Sequence, residues 1–108
     1  MKTVIRTLAV GAVALAAFGA NAADIKPAVV FDMGGKFDKS FNEGVASGAD
    51  KFTKETGISY REFEITNETQ FEQTHRKFAQ RGSDPIIGVG FSQGGAVDAV
   101  AKEFPDTR

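Results

Sequence analysis

The sequence contains no cysteine. That excludes disulfides, thiolate metal ligands, a cysteine nucleophile and lipid attachment through an N-terminal cysteine. It has a single histidine, His75, which rules out a multi-histidine metal site, and no metal is expected. Tryptophan is absent and tyrosine occurs once, against ten phenylalanines. An excess of either charge is also lacking. Thirteen basic and 14 acidic residues give a net charge of -1. A nucleic-acid-binding domain would show a basic face, so no nucleic-acid partner is expected. The longest apolar run, Leu8–Ala20, is short of the roughly 20 residues that span a bilayer. At 108 residues the chain has room for one small domain.

The N-terminus has three parts. Lys2 and Arg6 precede the apolar run, and Ala20-Asn21-Ala22 follows as a small-x-small cleavage site. This is the form of a secretory signal peptide covering residues 1–22. Removing it leaves 11 basic and 14 acidic residues, a net charge of -3, in the 86-residue chain 23–108. An exported chain without a lipid-bearing cysteine is expected to be soluble in the periplasm.

Short β-like runs then alternate with amphipathic stretches. Ala28–Asp32, Ile58–Ile65 and Pro85–Val89 read as strands. Ser40 and Glu43 have capping-box spacing before a helix whose face is Phe41, Val45, Ala49 and Phe52, ended by Gly57. Asn67 and Gln70 repeat that spacing before a sparse stripe of Phe71, Phe78 and Ala79. A third helix follows the loop Gly90–Gly95, with face Ala96, Val97, Val100, Ala101 and Phe104, and Pro105 stops it. The order β-α-β-α-β-α predicts an α/β fold with a parallel sheet, flanking helices and right-handed crossovers. Three strands with both edges open make a poor independent domain. The chain is therefore read as the N-terminal piece of a larger protein.

Ligands of open parallel sheets bind beyond the carboxyl ends of the strands. Asp32 ends the first strand there, as a hydroxyl acceptor or as a loop brace. Phe41 either packs in the core with Val45 or projects into the crevice. Asn42 offers both a donor and an acceptor. In the third loop, Gly90 permits close backbone approach and Phe91 is the aromatic best placed for the crevice. His75, among Gln73, Arg76 and Lys77, reads as part of a solvated face.

Gly90-Phe91-Ser92-Gln93-Gly94 fits the G-x-S-x-G nucleophile elbow, which makes a serine α/β-hydrolase with Ser92 as nucleophile the alternative function. No histidine follows Ser92, only two strands precede the elbow strand, and no HGGG-type oxyanion segment lies upstream. Gly88 and Gly90 begin a dinucleotide fingerprint that fails at Gln93, and Met33–Lys36 lacks phosphate-loop spacing. No cofactor is expected.

Three stretches together resemble one family. AVVFDMGGKFDKSFN (Ala28–Asn42) is similar to the start of mature basic membrane protein (BMP) family substrate-binding proteins, the purine-nucleoside-receptor-like group of ABC importers. PIIGVGF and AVDAVAKEFPD look like that family's third strand and the helix after it. The resemblance implies a partial first lobe of a two-lobed, type I periplasmic-binding fold. It implies a monomer that binds a nucleoside between lobes and presents it to an ABC permease in the inner membrane, without catalysis. It makes Asp32 a ribose-hydroxyl acceptor, Phe41 a stacking ring and Asn42 a base or sugar contact; the reading of the third loop adds Gly90 and Phe91 to the expected ligand-binding residues. Phe37 stands where the family has the first Asp of a pair, leaving Asp38 alone, and Gly94-Gly95 is richer in glycine than the family pattern.

Overall fold

A continuous apolar run buries itself on both sides of a sheet, and Ala28–Phe31 does so as strand β1. All four of its residues are buried. The computed structural model describes residues 25–108, so the leader 1–22 lies outside the described residues. Helix α1 follows at Phe41–Thr56, strand β2 at Arg61–Glu64 and helix α2 at Phe71–Gln80. Strand β3 spans Ile86–Gly88 and helix α3 Gly94–Glu103. The sheet order is β2-β1-β3 with both pairings parallel, Ala28 facing Arg61 on one side and Ile86 on the other.

Alternate residues of β1 feed two cores. Ala28 and Val30 pack with Ile65, Phe71 and Phe78 beneath α2, with Ala96 of α3 at the margin. Val29 and Phe31 pack with Ala46 and Val89 beneath α1, flanked by Val45 and Ala49. Burying each larger side chain of β1 contributes about 1.5–3 kcal/mol, so this strand anchors both layers. The strand assignments hold, each one shorter than expected. β2 is an edge strand with four exposed side chains; Ile65, just beyond it, is the residue it delivers to the core.

Of the two readings of Phe41, the structure excludes the core one: α1 buries Asn42 and Ala46, and Phe41 in its first turn is 62% exposed. Several local expectations need correction. Ser40 makes no side-chain cap. Asp38 caps α1 instead, accepting N–H bonds from Ser40 (2.8 Å), Asn42 (3.1 Å) and Glu43 (3.1 Å). Lys39, at φ 56°, turns the chain back between them. Gly94 and Gly95 lie in the first turn of α3, preceded by a 3-10 turn at Phe91–Gln93, so the third loop is tighter than the glycines suggest. His75 is buried on the inner face of α2, for a reason given below. The Asn67–Gln70 capping box is present, and Gly57 ends α1 in the left-handed region at φ 74°.

Candidate functional site

The chain leaves β1 toward α1 on one face of the sheet and leaves β3 toward α3 on the other. Where connections part in this way, the strand ends open a crevice, the usual ligand position in such sheets. Asp32 stands at this point. Its Oδ1 accepts the Met33 N–H at 2.7 Å and its Oδ2 accepts the Ser92 hydroxyl at 2.6 Å. Each oxygen keeps lone-pair capacity for a ligand hydroxyl.

Four apolar side chains from the two loops stand exposed at this end: Met33, Phe37, Phe41 and Phe91, the last fully so. Gly90 fits beneath Asp32 at φ 103°. A Cβ there would lie 2.5 Å from Asp32 Oδ2, so the approach of carboxylate to backbone requires glycine.

Asn42 does something other than expected. It is 2% exposed, its Oδ1 accepts the Asp32 N–H at 3.1 Å and its Nδ2 donates to the Asp32 carbonyl at 3.2 Å. Its amide bonds both backbone groups of Asp32, so from a buried position the side chain braces that residue. The β1–α1 loop is braced further by β2. The Lys36 N–H donates to Glu64 at 2.7 Å, and its ammonium pairs with Glu62 at 2.8 Å. With Phe37 in place of a second acid, Asp38 carries the loop's capping alone. Desolvation pushes its carboxyl pKa up, but the N–H groups of Glu43, Ser40 and Asn42 outweigh that and hold it below the ordinary carboxylate value.

Ser92 holds Asp32 without an imidazole between them. The one histidine lies on the core side, its Nε2 2.7 Å from Oε1 of Gln93. Among the described residues Ser92 therefore has no imidazole partner, so the Ser–His pair that a nucleophile elbow uses is not formed here. Sequence reasoning missed three parts of this arrangement: the Ser92–Asp32 bond, buried Gln93 and inward His75. For His75 a signal existed. It shares one helix face with Phe71, Phe78 and Ala79 at three- and four-residue spacing.

Burial pushes the His75 pKa below the ordinary histidine value, and the bond to Gln93 opposes this more weakly. A depressed folded pKa means that protonation favours the unfolded chain. The stability gained from neutral His75 is thus complete above about pH 6.5 and is lost as pH falls from there through the folded pKa. The melting temperature is expected to fall between pH 7 and pH 5, and a His75→Gln variant to flatten that slope. Asp38, Asp84 and Glu103 titrate below ordinary carboxylate values and so act at lower pH. An unchanged slope in the variant would assign the effect elsewhere.

A second hollow lies on the α1 side of the sheet, lined by Val29, Val45, Ala49, Phe52 and Ile87. It is mostly apolar, with Tyr60 and Arg108 as its polar lining, and Pro27 and Pro85 put it toward the amino ends of β1 and β3, away from Asp32 at the carboxyl ends. No described helix is long and apolar enough to cross a membrane.

A relative from Lactococcus lactis subsp. cremoris, described as ABC transporter nucleoside-binding protein BmpA, is 31% identical over 86 residues, covering 76% of this chain and 24% of the relative. One from Pyrococcus abyssi, described as an uncharacterized lipoprotein, is 30% identical over 89 residues, 82% of this chain and 22% of the relative. The chain spans about a quarter of the length of these curated relatives. The solved structure of an ABC transporter system solute-binding protein from Aeropyrum pernix K1 superposes with a TM-score of 0.72 at 30% identity, over 78% of this chain and 23% of that one. This likeness bears out the expected periplasmic-binding-type α/β fold. Residues 25–108, every element described above, match the family described as ABC transporter substrate-binding protein PnrA-like, and the chain belongs to that Bmp family.

Proposed function

We propose that this chain forms one wall of the ligand cleft in the substrate-binding component of an ABC importer, and that the ligand is a nucleoside. Residues 23–108 supply the first lobe's strand ends, a second lobe supplies the opposite wall, and closure presents the ligand to a membrane permease. The role is binding without turnover. The observation that carries this reading is the Asp32 carboxylate, fixed at the switch point with free lone pairs beside exposed Phe41 and Phe91. A carboxylate suits ribose hydroxyls and an aromatic ring suits a base. The Lactococcus relative's description as nucleoside-binding points the same way. We place the protein in the periplasm after cleavage of residues 1–22. Relatives from Pyrococcus are described as lipoproteins, and the 108 residues of this chain contain no cysteine.

The test is a titration of 15N-labelled chain with adenosine, inosine and 2′,3′-dideoxyadenosine. Weak binding to one wall is expected, with amide shifts at Asp32, Met33, Phe41 and Phe91. Asp32→Asn should weaken it about tenfold or more, since a hydrogen bond to a charged group contributes about 1.5–3 kcal/mol. The dideoxynucleoside should behave like the variant. Shifts confined to the hollow around Ile87, or equal binding of all three nucleosides to the variant and the wild type, would remove the proposal.

A further inference from the structure

We propose that Gln93 is the residue that positions the Gly90–Gln93 turn against Asp32, with His75 fixing the direction of its amide. This rests on the nucleoside-cleft reading, since it names what holds that wall in shape. Gln93 is 1% exposed. Its Nε2 donates to the carbonyls of Val30 at 2.9 Å and Val89 at 2.8 Å, and its Oε1 is 2.7 Å from His75 Nε2. A glutamine amide has two N–H donors and a carbonyl oxygen, and here all of them have partners. The two backbone carbonyls can only accept, so the nitrogen must face them. The oxygen then faces the imidazole, so His75 Nε2 carries the proton.

The place of these contacts matters as much as their number. Val30 belongs to β1, two residues before Asp32, and Val89 lies between β3 and Gly90. One side chain therefore joins the ends of both strands that flank the crevice. The turn's own closing bond, Gln93 N–H to Gly90 carbonyl, is long at 3.4 Å. The Ser92–Asp32 bond on its outer side is exposed to solvent. The interior amide is thus a buried fixing point that adds to the Val89 N–H bond to the Val30 carbonyl at 3.0 Å, with Ser92 and Phe91 next to it. Gly88 leaves room for the pair: a Cβ there would lie 3.1 Å from His75 Cε1 and 3.3 Å from Gln93 Oε1. Gln93 touches no ligand and acts through its neighbours.

Gln93→Met keeps the length of the side chain and removes its donors and acceptor. In the ligand-free chain, amide exchange at Ser92, Gln93 and Gly94 should accelerate about tenfold or more over wild type. The His75 ring should lose its Nε2–H signature in 15N spectra. Adenosine affinity should fall about tenfold, which corresponds to about 1.4 kcal/mol. Val100→Ala, a truncation in the α3 core, controls for lost stability and should leave exchange in the turn and adenosine affinity near wild type. Should Gln93→Met fail to fold, Gln93→Asn, one methylene shorter, is measured against the same control. Equal effects of the Val100 control at matched melting temperature would reduce Gln93 to general packing and overturn the proposal. So would unchanged exchange in the glutamine variants. Faster exchange in a protein whose wild type ignores adenosine would support the positioning role and defeat the nucleoside reading.

Discussion

Gly90→Ala is expected to lower the melting temperature by about 5–20 °C and to abolish the nucleoside response at Asp32. Two costs combine. At φ 103° and ψ 153° the backbone occupies a region essentially reserved for glycine. Forcing a side chain into such a region costs about 1–3 kcal/mol, and 1 kcal/mol moves the midpoint of a domain this size by about 4–8 °C. The second cost falls on the site. The new methyl would sit 2.5 Å from Asp32 Oδ2 and 3.3 Å from its Cγ. The carboxylate must swing away, and the Ser92 hydroxyl bonded to that same oxygen loses its acceptor. Gly94→Ala is the matched control. It stands in the first turn of α3 with nothing within 4 Å of the added carbon, so it should be neutral or stabilising by up to about 1 kcal/mol. Thermal melts and the adenosine titration read both variants. A Gly90 variant that melts with the wild type and keeps its Asp32 shifts would refute the close-approach account.

The elements legible in the sequence were those fixed by local pattern. Ala28–Phe31 reads as a buried strand because an unbroken apolar run must be covered on both faces, and it is. Gly57 and the Asn67–Gln70 box were legible because caps are written within a few residues. What escaped depends on chain reversals and distant partners. Ser40-x-x-Glu43 has capping spacing, yet Asp38 takes the donors because the chain doubles back at Lys39. For Phe41 the spacing shared with Val45 left core and crevice both open, and its place as the first residue of α1 leaves it exposed. His75 was misjudged from its charged neighbours in sequence; on a helix its neighbours in space are Phe71, Phe78 and Ala79. Gln93 sits in a run of glycine and serine with no sign of burial. Its partners, Val30 and His75, are 63 and 18 residues away.

Asn42→Leu is expected to lower stability by about 1–3 kcal/mol, or roughly 5–20 °C, through one stranded group. The Asp32 N–H bonds Asn42 Oδ1 in a part-buried position, and leucine cannot accept it. The Asp32 carbonyl suffers less, because the Gly35 N–H also reaches it at 3.3 Å. Asn42→Asp separates the two bonds. An introduced carboxylate still accepts from the Asp32 N–H, but its second oxygen faces the Asp32 carbonyl and repels it. Protonation converts that oxygen into a donor and restores the pair. The deficit of this variant relative to wild type should therefore shrink as pH falls from 7 to 5. That trend runs opposite to the His75 effect, which both proteins share and which cancels in the comparison. The ligand-free spectrum distinguishes a positioning role from a direct ligand contact. If Asn42 holds Asp32 in place, the Asp32 amide resonance moves in Asn42→Leu before any nucleoside is added. A leucine variant that keeps the wild-type melt and Asp32 resonance yet loses adenosine would return Asn42 to the ligand side of the cleft.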